Sequence, residues 1–372
     1  MPVKCGMIIK AMEAMAPINL AESWDNPGLI VGSPAQEIKK VLVALDVTPE
    51  VASRAAVEGI DMIVAHHPLI FNAIKKVRTD STVGKTLAIL LKNDIAVYAA
   101  HTNLDSAAGG INDLLADRLG LADCRPLEAN DADKLVKLAV FVPEGHIETV
   151  RSAITKAGAG HIGKYSHCTF QVSGLGTFLP LAGTQPFIGE QGKLERVPEM
   201  RLETIVPATI LPQVVAEMVA AHPYEEVAYD VYPLANSYSS QGLGRIGRIM
   251  EPMALNDFSQ MIKTALKVEF VKVVGNGDRK VQVVAVCGGA GSDFVARAIE
   301  LGADVLVTGD VKYDAALEAL DLGLAVIDAG HFATERLMVN AVSTYLQECS
   351  ARNSWLIDVK ADNRDKDVFY IV

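Results

Sequence analysis

Cysteine, aromatic residues and positive charge are all scarce in this 372-residue chain. Its five cysteines, Cys5, Cys124, Cys168, Cys287 and Cys349, are scattered, odd in number and form no CxxC pair. A disulfide framework is therefore not expected, and a reducing, cytoplasmic setting is. Lysine and arginine total 34 against 45 aspartates and glutamates, a formal net charge of -11. That balance argues against a general nucleic-acid or membrane-surface binder, which would carry a basic face. It leaves room for a phosphorylated substrate, because bound metal ions can supply positive charge locally. No stretch approaches the ~20 uninterrupted apolar residues of a membrane-spanning helix. The opening "MPVKCGMIIKAMEAMAP" is broken by Lys10 and Glu13, unlike a signal peptide. There is no GxSxG nucleophile elbow, and the one cysteine beside a histidine, Cys168 after His167, lies away from the other polar clusters.

What is present is a large apolar fraction, 50% of residues, in a chain long enough for two domains. The first third alternates short apolar runs with helical segments: "KKVLVALDVT" (39–48), "DMIVAHH" (61–67) and "IAVYAAHTNLD" (95–105) read as strands between helices. The last third repeats the style with strands "VQVVAVCGGAG" (281–291), "DVLVTGD" (304–310) and "LAVIDAGH" (324–331), a long helix from Phe332 and a final strand "DVFYIV". Such alternation predicts an α/β fold with mostly parallel sheets covered by helices. The middle differs: strands at 134–144, 168–180, 200–208 and 227–234 enclose helices at 146–158 and 211–223. That β-α-β-β-α-β order predicts a ferredoxin-like α+β insert. The expected organisation is a discontinuous α/β domain, 1–130 and 236–372, interrupted by an inserted domain, 131–235, with polar connectors "LEANDADK" and "ANSYSSQGLGR" between them.

Ligands in open parallel sheets bind beyond the carboxyl ends of the strands. Those ends carry His66 and His67, then His101, Asn103 and Asp105, then Asp310, then His331 with Glu335 one helical turn on. Adjacent residues on a regular strand point to opposite faces, but at a strand end two imidazoles can splay and serve different ions. His331 and Glu335, spaced i, i+4, share one helix face. His66, His67, Asp105, His331 and Glu335 thus form a candidate two-metal site of the kind that activates water. Two divalent ions per chain are expected, and the mixed histidine and carboxylate set suits Zn, Fe, Mn, Co or Ni. Alone, a histidine pair or an i, i+4 pair is as compatible with an ordinary surface; their joint placement at strand ends is what points to metal.

Other features are less specific. "CGGAGS" (287–292) is either a tight strand-to-helix turn or a phosphate cradle, and it lacks the GxxxxGK[ST] lysine. In "TGDVKY" (308–313), Lys312 could meet a phosphate and Asp310 could support a histidine, or Asp310 could cap a helix. Trp24, Asp25 and Asn26 in "SWDNPGLIVG" read first as structural packing, and "HPYEEVAYD" as a helix end and turn of the insert.

Taken in order, "SWDNPGLIVG", "VAHHPLIF", "AHTNLD", "TGDVKYDAALEA" and "DAGHFATE" resemble the motifs of the GTP cyclohydrolase I type 2 homologue family, also called the NGG-interacting-factor-three-like family. The resemblance covers both α/β segments, and the insert looks like the PII/CutA-like one of longer bacterial members. It implies metal ligands at His66, His67, Asp105, His331 and Glu335, the set reached from strand ends, and a pocket-lining histidine at His101 that could shuttle protons. It further implies a homohexamer built from two trimers, a small-molecule or nucleotide substrate and hydrolysis, with attack at C8 of the guanine of GTP suggested by the family name. A metal-binding scaffold or regulatory protein with an effector-sensing insert is the alternative. Two positions depart from the family pattern: Asp314 where a histidine is frequent, and Phe332 where a tyrosine is frequent.

Overall fold

The computed structural model describes residues 3–129, 134–235, 241–370 and 372, so parts of both connectors lie outside the described residues. The chain forms two compact units, Met1–Ala129 with Ser240–Val372, and Asn130–Ser239.

The first unit holds two larger sheets. In one, the strand order is Asp358–Ala361, Lys40–Ala44, Met62–Ala65, Ala96–Ala99, Gly28–Val31. The first four strands run parallel, and Gly28–Val31 pairs antiparallel with Ala96–Ala99 at the edge. The two central strands, Met62–Ala65 and Ala96–Ala99, are buried at every position. Helices cover both of their faces, so unbroken apolar runs replace alternation. Helix Pro49–Glu58, between strands Lys40–Ala44 and Met62–Ala65, is bounded by local chemistry. Thr48 caps it through the Val51 N–H, Pro49 opens it, and Gly59 at φ 64° stops it.

The other sheet corrects the expectation of mostly parallel pairing. Its order is Lys272–Val274, Ala325–Asp328, Val305–Gly309, Lys280–Ala290, Gly242–Ala254, Ala122–Ala129. Only the two pairs involving Val305–Gly309 are parallel; the other three are antiparallel. The strand that changes the topology, Gly242–Ala254, begins inside the expected connector "ANSYSSQGLGR". Glycines and two arginines hide its period in the sequence. Arg245 is nonetheless fully buried, bonded to Asp113 and to the carbonyls of Gly242, Gly244 and Ala107.

Two further expectations are revised at the C-terminus. The long helix is two, His331–Glu335 and Leu337–Asn353. The last strand is Asp358–Ala361, whereas the described residues of "DVFYIV" form no strand, and Val368, Phe369 and Tyr370 are exposed.

In the second unit, strands Leu135–Pro143, Thr169–Phe178, Glu195–Pro207 and Tyr229–Pro233 form one antiparallel sheet. Leu135–Pro143 and Glu195–Pro207 are central. Helices Ile147–Lys156 and Leu211–Ala221 pack on it through Val150, Ile154, Val214 and Met218, against Leu138, Val140, Leu202 and Val206. Among the described residues no helix is long and apolar enough to cross a membrane.

Candidate metal centre

All four expected strand ends deliver their side chains to one place. Strand Met62–Ala65 runs out into His66 and His67, whose backbone N–H groups both donate to the Leu45 carbonyl, at 3.2 and 3.0 Å. Two donors on one acceptor mean that the ladder slips there, and a slip re-aims neighbouring side chains. Both imidazoles then reach the same carboxylate: His66 Nε2 is 3.6 Å from Glu335 Oε1, and His67 Nε2 is 3.0 Å from Glu335 Oε2. Strand Ala96–Ala99 leads to His101, with Asp105 one turn into helix Thr102–Ser106. Asp105 Oδ1 lies 3.8 Å from His66 Nε2. His331 opens the short helix that carries Glu335, and its Nε2 is 3.0 Å from Glu335 Oε2.

The histidines share a second regularity. Each donates its Nδ1 hydrogen to an oxygen: His66 to the Ala100 carbonyl at 2.7 Å, His67 to Asp46 at 2.8 Å, His101 to Asp25 at 2.9 Å and His331 to Asp310 at 2.8 Å. A carbonyl or carboxylate can only accept, so Nδ1 holds a hydrogen and Nε2 is the nitrogen that offers a lone pair once any proton on it is gone. This is how metal-binding imidazoles are usually oriented. Asp25 also accepts from the Thr102 N–H and hydroxyl. Burial would raise its carboxyl, but the bonds from His101 and Thr102 outweigh that and hold it at about 2.

The donor set fits divalent cations. His66 Nε2, Asp105 Oδ1 and Glu335 Oε2 are buried without a hydrogen bond of good geometry among the described residues. Imidazole nitrogens and carboxylate oxygens converge there, an arrangement that a cation, proton or metal ion, stabilises and an apolar filling does not. Two groups of donor atoms close enough to hold an ion recur, His66 with His67 and His101, and His67 with His331 and Glu335. The electrostatics agree. Burial pushes Asp105 up to about 6, whereas the three histidines overcome burial and keep Glu335 well below the usual carboxylate range.

On one side a cavity of ≈ 700 Å³ opens beside His67 and His331, lined also by Asp46, Asp310, Lys272 and Phe332, with Lys366, Phe369 and Tyr370 of the C-terminal tail. Phe332, a departure from the family pattern, thus faces the site's approach, while Asp314 is exposed and does not line it. Beside His101, Trp24 and Phe71 lie with ring centroids 6.2 and 6.1 Å from the imidazole.

From sequence, Asp310 is one possible support for a histidine, whereas Asp25 reads as packing and Asp46 carries no visible role. Only one signal could have found them: both stand just beyond or before an apolar run, as the candidate ligands do. "CGGAGS" is less a turn than the irregular end of strand Lys280–Ala290, which runs through its first four residues. Its Gly288, Gly289 and Gly291 amides already donate to Asn112, Thr334 and Thr308, so they are not free to cradle a phosphate. Gly289, at φ 65°, comes so near the centre that a Cβ there would lie 2.2 Å from Glu335 Oε1.

Comparison with known proteins finds relatives along the whole chain. The family profile described as Duf34/NIF3 (NGG1p interacting factor 3) matches residues 3–367. A Halalkalibacterium halodurans protein named GTP cyclohydrolase 1 type 2 homolog is 44% identical over 365 residues, 98% of each chain. A Bacillus subtilis protein of the same name is 44% identical over 362 residues, 97% of each. Among solved structures, a Bacillus cereus protein related to NIF3 superimposes with TM-score 0.75 at 46% identity, covering 100% of this chain and 99% of that one. A Staphylococcus aureus protein does so with TM-score 0.81 at 29% identity and the same coverage. The chain belongs to the Duf34/NIF3 family.

Proposed function

We propose that the protein is a divalent-metal-dependent hydrolase with a dinuclear centre. The observation that carries this reading is the set of imidazoles whose Nδ1 atoms are all taken by oxygens while Nε2 atoms converge on one carboxylate. His66, Asp105 and Glu335 Oε1 would hold one ion, and His67, His331 and Glu335 Oε2 the other. When bound, the ions supply Lewis acidity and lower the pKa of a coordinated water. The chain's own part in turnover falls to His101. Asp25, ionised and bonded to its Nδ1, fixes the tautomer and stabilises the imidazolium formed when Nε2 accepts a proton.

The cavity beside His67 has the volume of a small-molecule site and mixes lysines with aromatic rings, which suits a nucleotide-sized substrate. GTP, opened at guanine C8 with release of formate, and phosphoesters are the two classes to test; the relatives' shared name favours the first. The test is elemental analysis of protein purified without an affinity tag, then a screen against both classes. About two equivalents of metal per chain, with turnover abolished in His67→Ala, is the expected result. Protein that retains no metal, or turnover untouched by His67→Ala, sinks the reading.

The inserted unit supports a second, regulatory reading. Its βαββαβ order, with the first and third strands central, is what a ferredoxin-like domain of the PII/CutA type would have. Its edge strand Thr169–Phe178 exposes Phe170, Val172 and Leu175. A long apolar edge invites pairing with another chain, in keeping with a homohexamer of two trimers. Sedimentation equilibrium tests this, and a monomer at micromolar concentration would rule it out.

A further inference from the structure

The inserted unit contains a cavity of ≈ 370 Å³ that has no part in the metal centre. Its walls include four aromatic rings, Phe141, Phe178, Phe187 and Tyr224. Phe178 and Phe187 meet Tyr224 with centroids 5.9 and 6.4 Å away. Beneath them lies Glu199 on strand Glu195–Pro207, only 8% exposed. The Tyr224 hydroxyl donates to Glu199 Oε1 at 2.9 Å. Among the described residues no lysine or arginine lines the cavity. Arg201, two residues along the same strand, is taken by Glu203 at 3.0 Å and by the ring of Phe141 at 6.0 Å. Strand Thr169–Phe178 makes way for the carboxylate: a Cβ on Gly176 would lie 2.1 Å from Glu199 Oε2. The backbone of Gly176 is ordinary, so space rather than φ explains the glycine.

A carboxylate buried with one neutral hydrogen bond is costly unless a positive group completes it. Aromatic faces around it attract cations and are poor company for anions. Exposed Glu225 and Glu226 at the same cavity add to the negative field. Hard metal ions are ill served, because calcium or magnesium needs about six or more oxygen ligands and these walls are rings. We propose that this cavity binds a small organic cation of the alkylammonium type, its charged head against Glu199 and its carbons against the rings.

The test is calorimetric titration of the full chain with choline and with its uncharged isostere 3,3-dimethylbutan-1-ol. Choline is expected to bind saturably and about tenfold or more tighter than the isostere. Glu199→Gln, which keeps an acceptor for Tyr224, should remove that preference. Phe187→Ala, on a ring 54% exposed and so safe for folding, should weaken choline by a similar factor. Absence of saturable choline binding, equal binding of the isostere, or unchanged choline affinity in Phe187→Ala would overturn the proposal.

Discussion

The Nε2 atoms of His67 and His331 lie 3.3 Å apart although 264 residues separate them in the chain. Each ring is pinned from behind by its own aspartate, Asp46 and Asp310, and both face Glu335 Oε2 at 3.0 Å. The inserted unit interrupts the sequence between them without disturbing this meeting, since each histidine sits at the end of a parallel strand held by a buried sheet.

The aspartates behind the histidines give the first prediction. Asp46→Asn or Asp310→Asn keeps a hydrogen-bond acceptor but removes the charge that orients and polarises the ring. Metal affinity should fall by about 10- to 100-fold in each variant. Both aspartates are close to half-exposed, 46% and 51%, so the fold should survive. Competition with a chromophoric chelator measures the change; an affinity within about twofold of the parent would remove these residues from the account.

Proton release gives the second. In protein stripped of metal, burial alone would lower His67, yet Asp46 and Glu335 outweigh it and carry its pKa up to about 10. Glu335 first, and Asp310 with it, carry His331 up to about 9. Both exceed the ~6.5 of an unfolded histidine. The stability they lend to metal-free protein is therefore full below ~6.5 and is lost as pH rises through about 9 and 10. A metal ion held by the same Nε2 atoms, as proposed, would have to displace those protons. Zinc added at pH 8 to weakly buffered apoprotein should release at least roughly one proton per chain, followed with an indicator dye. Uptake without release would mean that these imidazoles are not ligands.

Much of the centre was legible because strand ends are readable. "DMIVAHH" shows where an apolar run stops, and a parallel sheet gathers such stops at one edge, which accounts for His66, His67 and Asp105 but not for His331 and Glu335, which follow a strand of the second sheet. The i, i+4 spacing of His331 and Glu335 needed only helix geometry. Asp25 and Asp46 stayed hidden because a carboxylate that supports a ring through space has no fixed offset from it in sequence: Asp25 lies 76 residues from His101. The second sheet was misjudged for a related reason. A strand such as Gly242–Ala254, carrying a buried arginine paired with a distant Asp113, shows neither alternation nor an apolar run.

That arginine carries the third prediction. Arg245 is 1% exposed and its guanidinium is shared between Asp113 and three backbone carbonyls. Asp113→Ala removes a charged partner of the buried guanidinium and should cost up to about 3–5 kcal/mol. The urea midpoint of the two-part unit reads this directly. A loss below about 1 kcal/mol would show that the guanidinium's other partners suffice, since that is what an exposed pair is worth.

Gly289→Ala separates backbone strain from damage to the centre. The residue sits at φ 65°, and a methyl group there would lie 2.2 Å from Glu335 Oε1 and 3.3 Å from His331 Nε2. Gly302 offers a control: φ is 79°, but nothing stands within 4 Å of an added Cβ. Both alanine variants carry a left-handed backbone penalty of about 1–2 kcal/mol. Only Gly289→Ala forces the Glu335 carboxylate to move, and Oε1 is the oxygen that faces His66 at 3.6 Å. Gly302→Ala should therefore bind as much metal as the parent while melting a few degrees lower. Gly289→Ala should melt lower and also lose metal, first the ion that His66 and Asp105 would share with Oε1. If the two variants retained equal metal, Glu335 would be a structural carboxylate rather than the bridge between two ions.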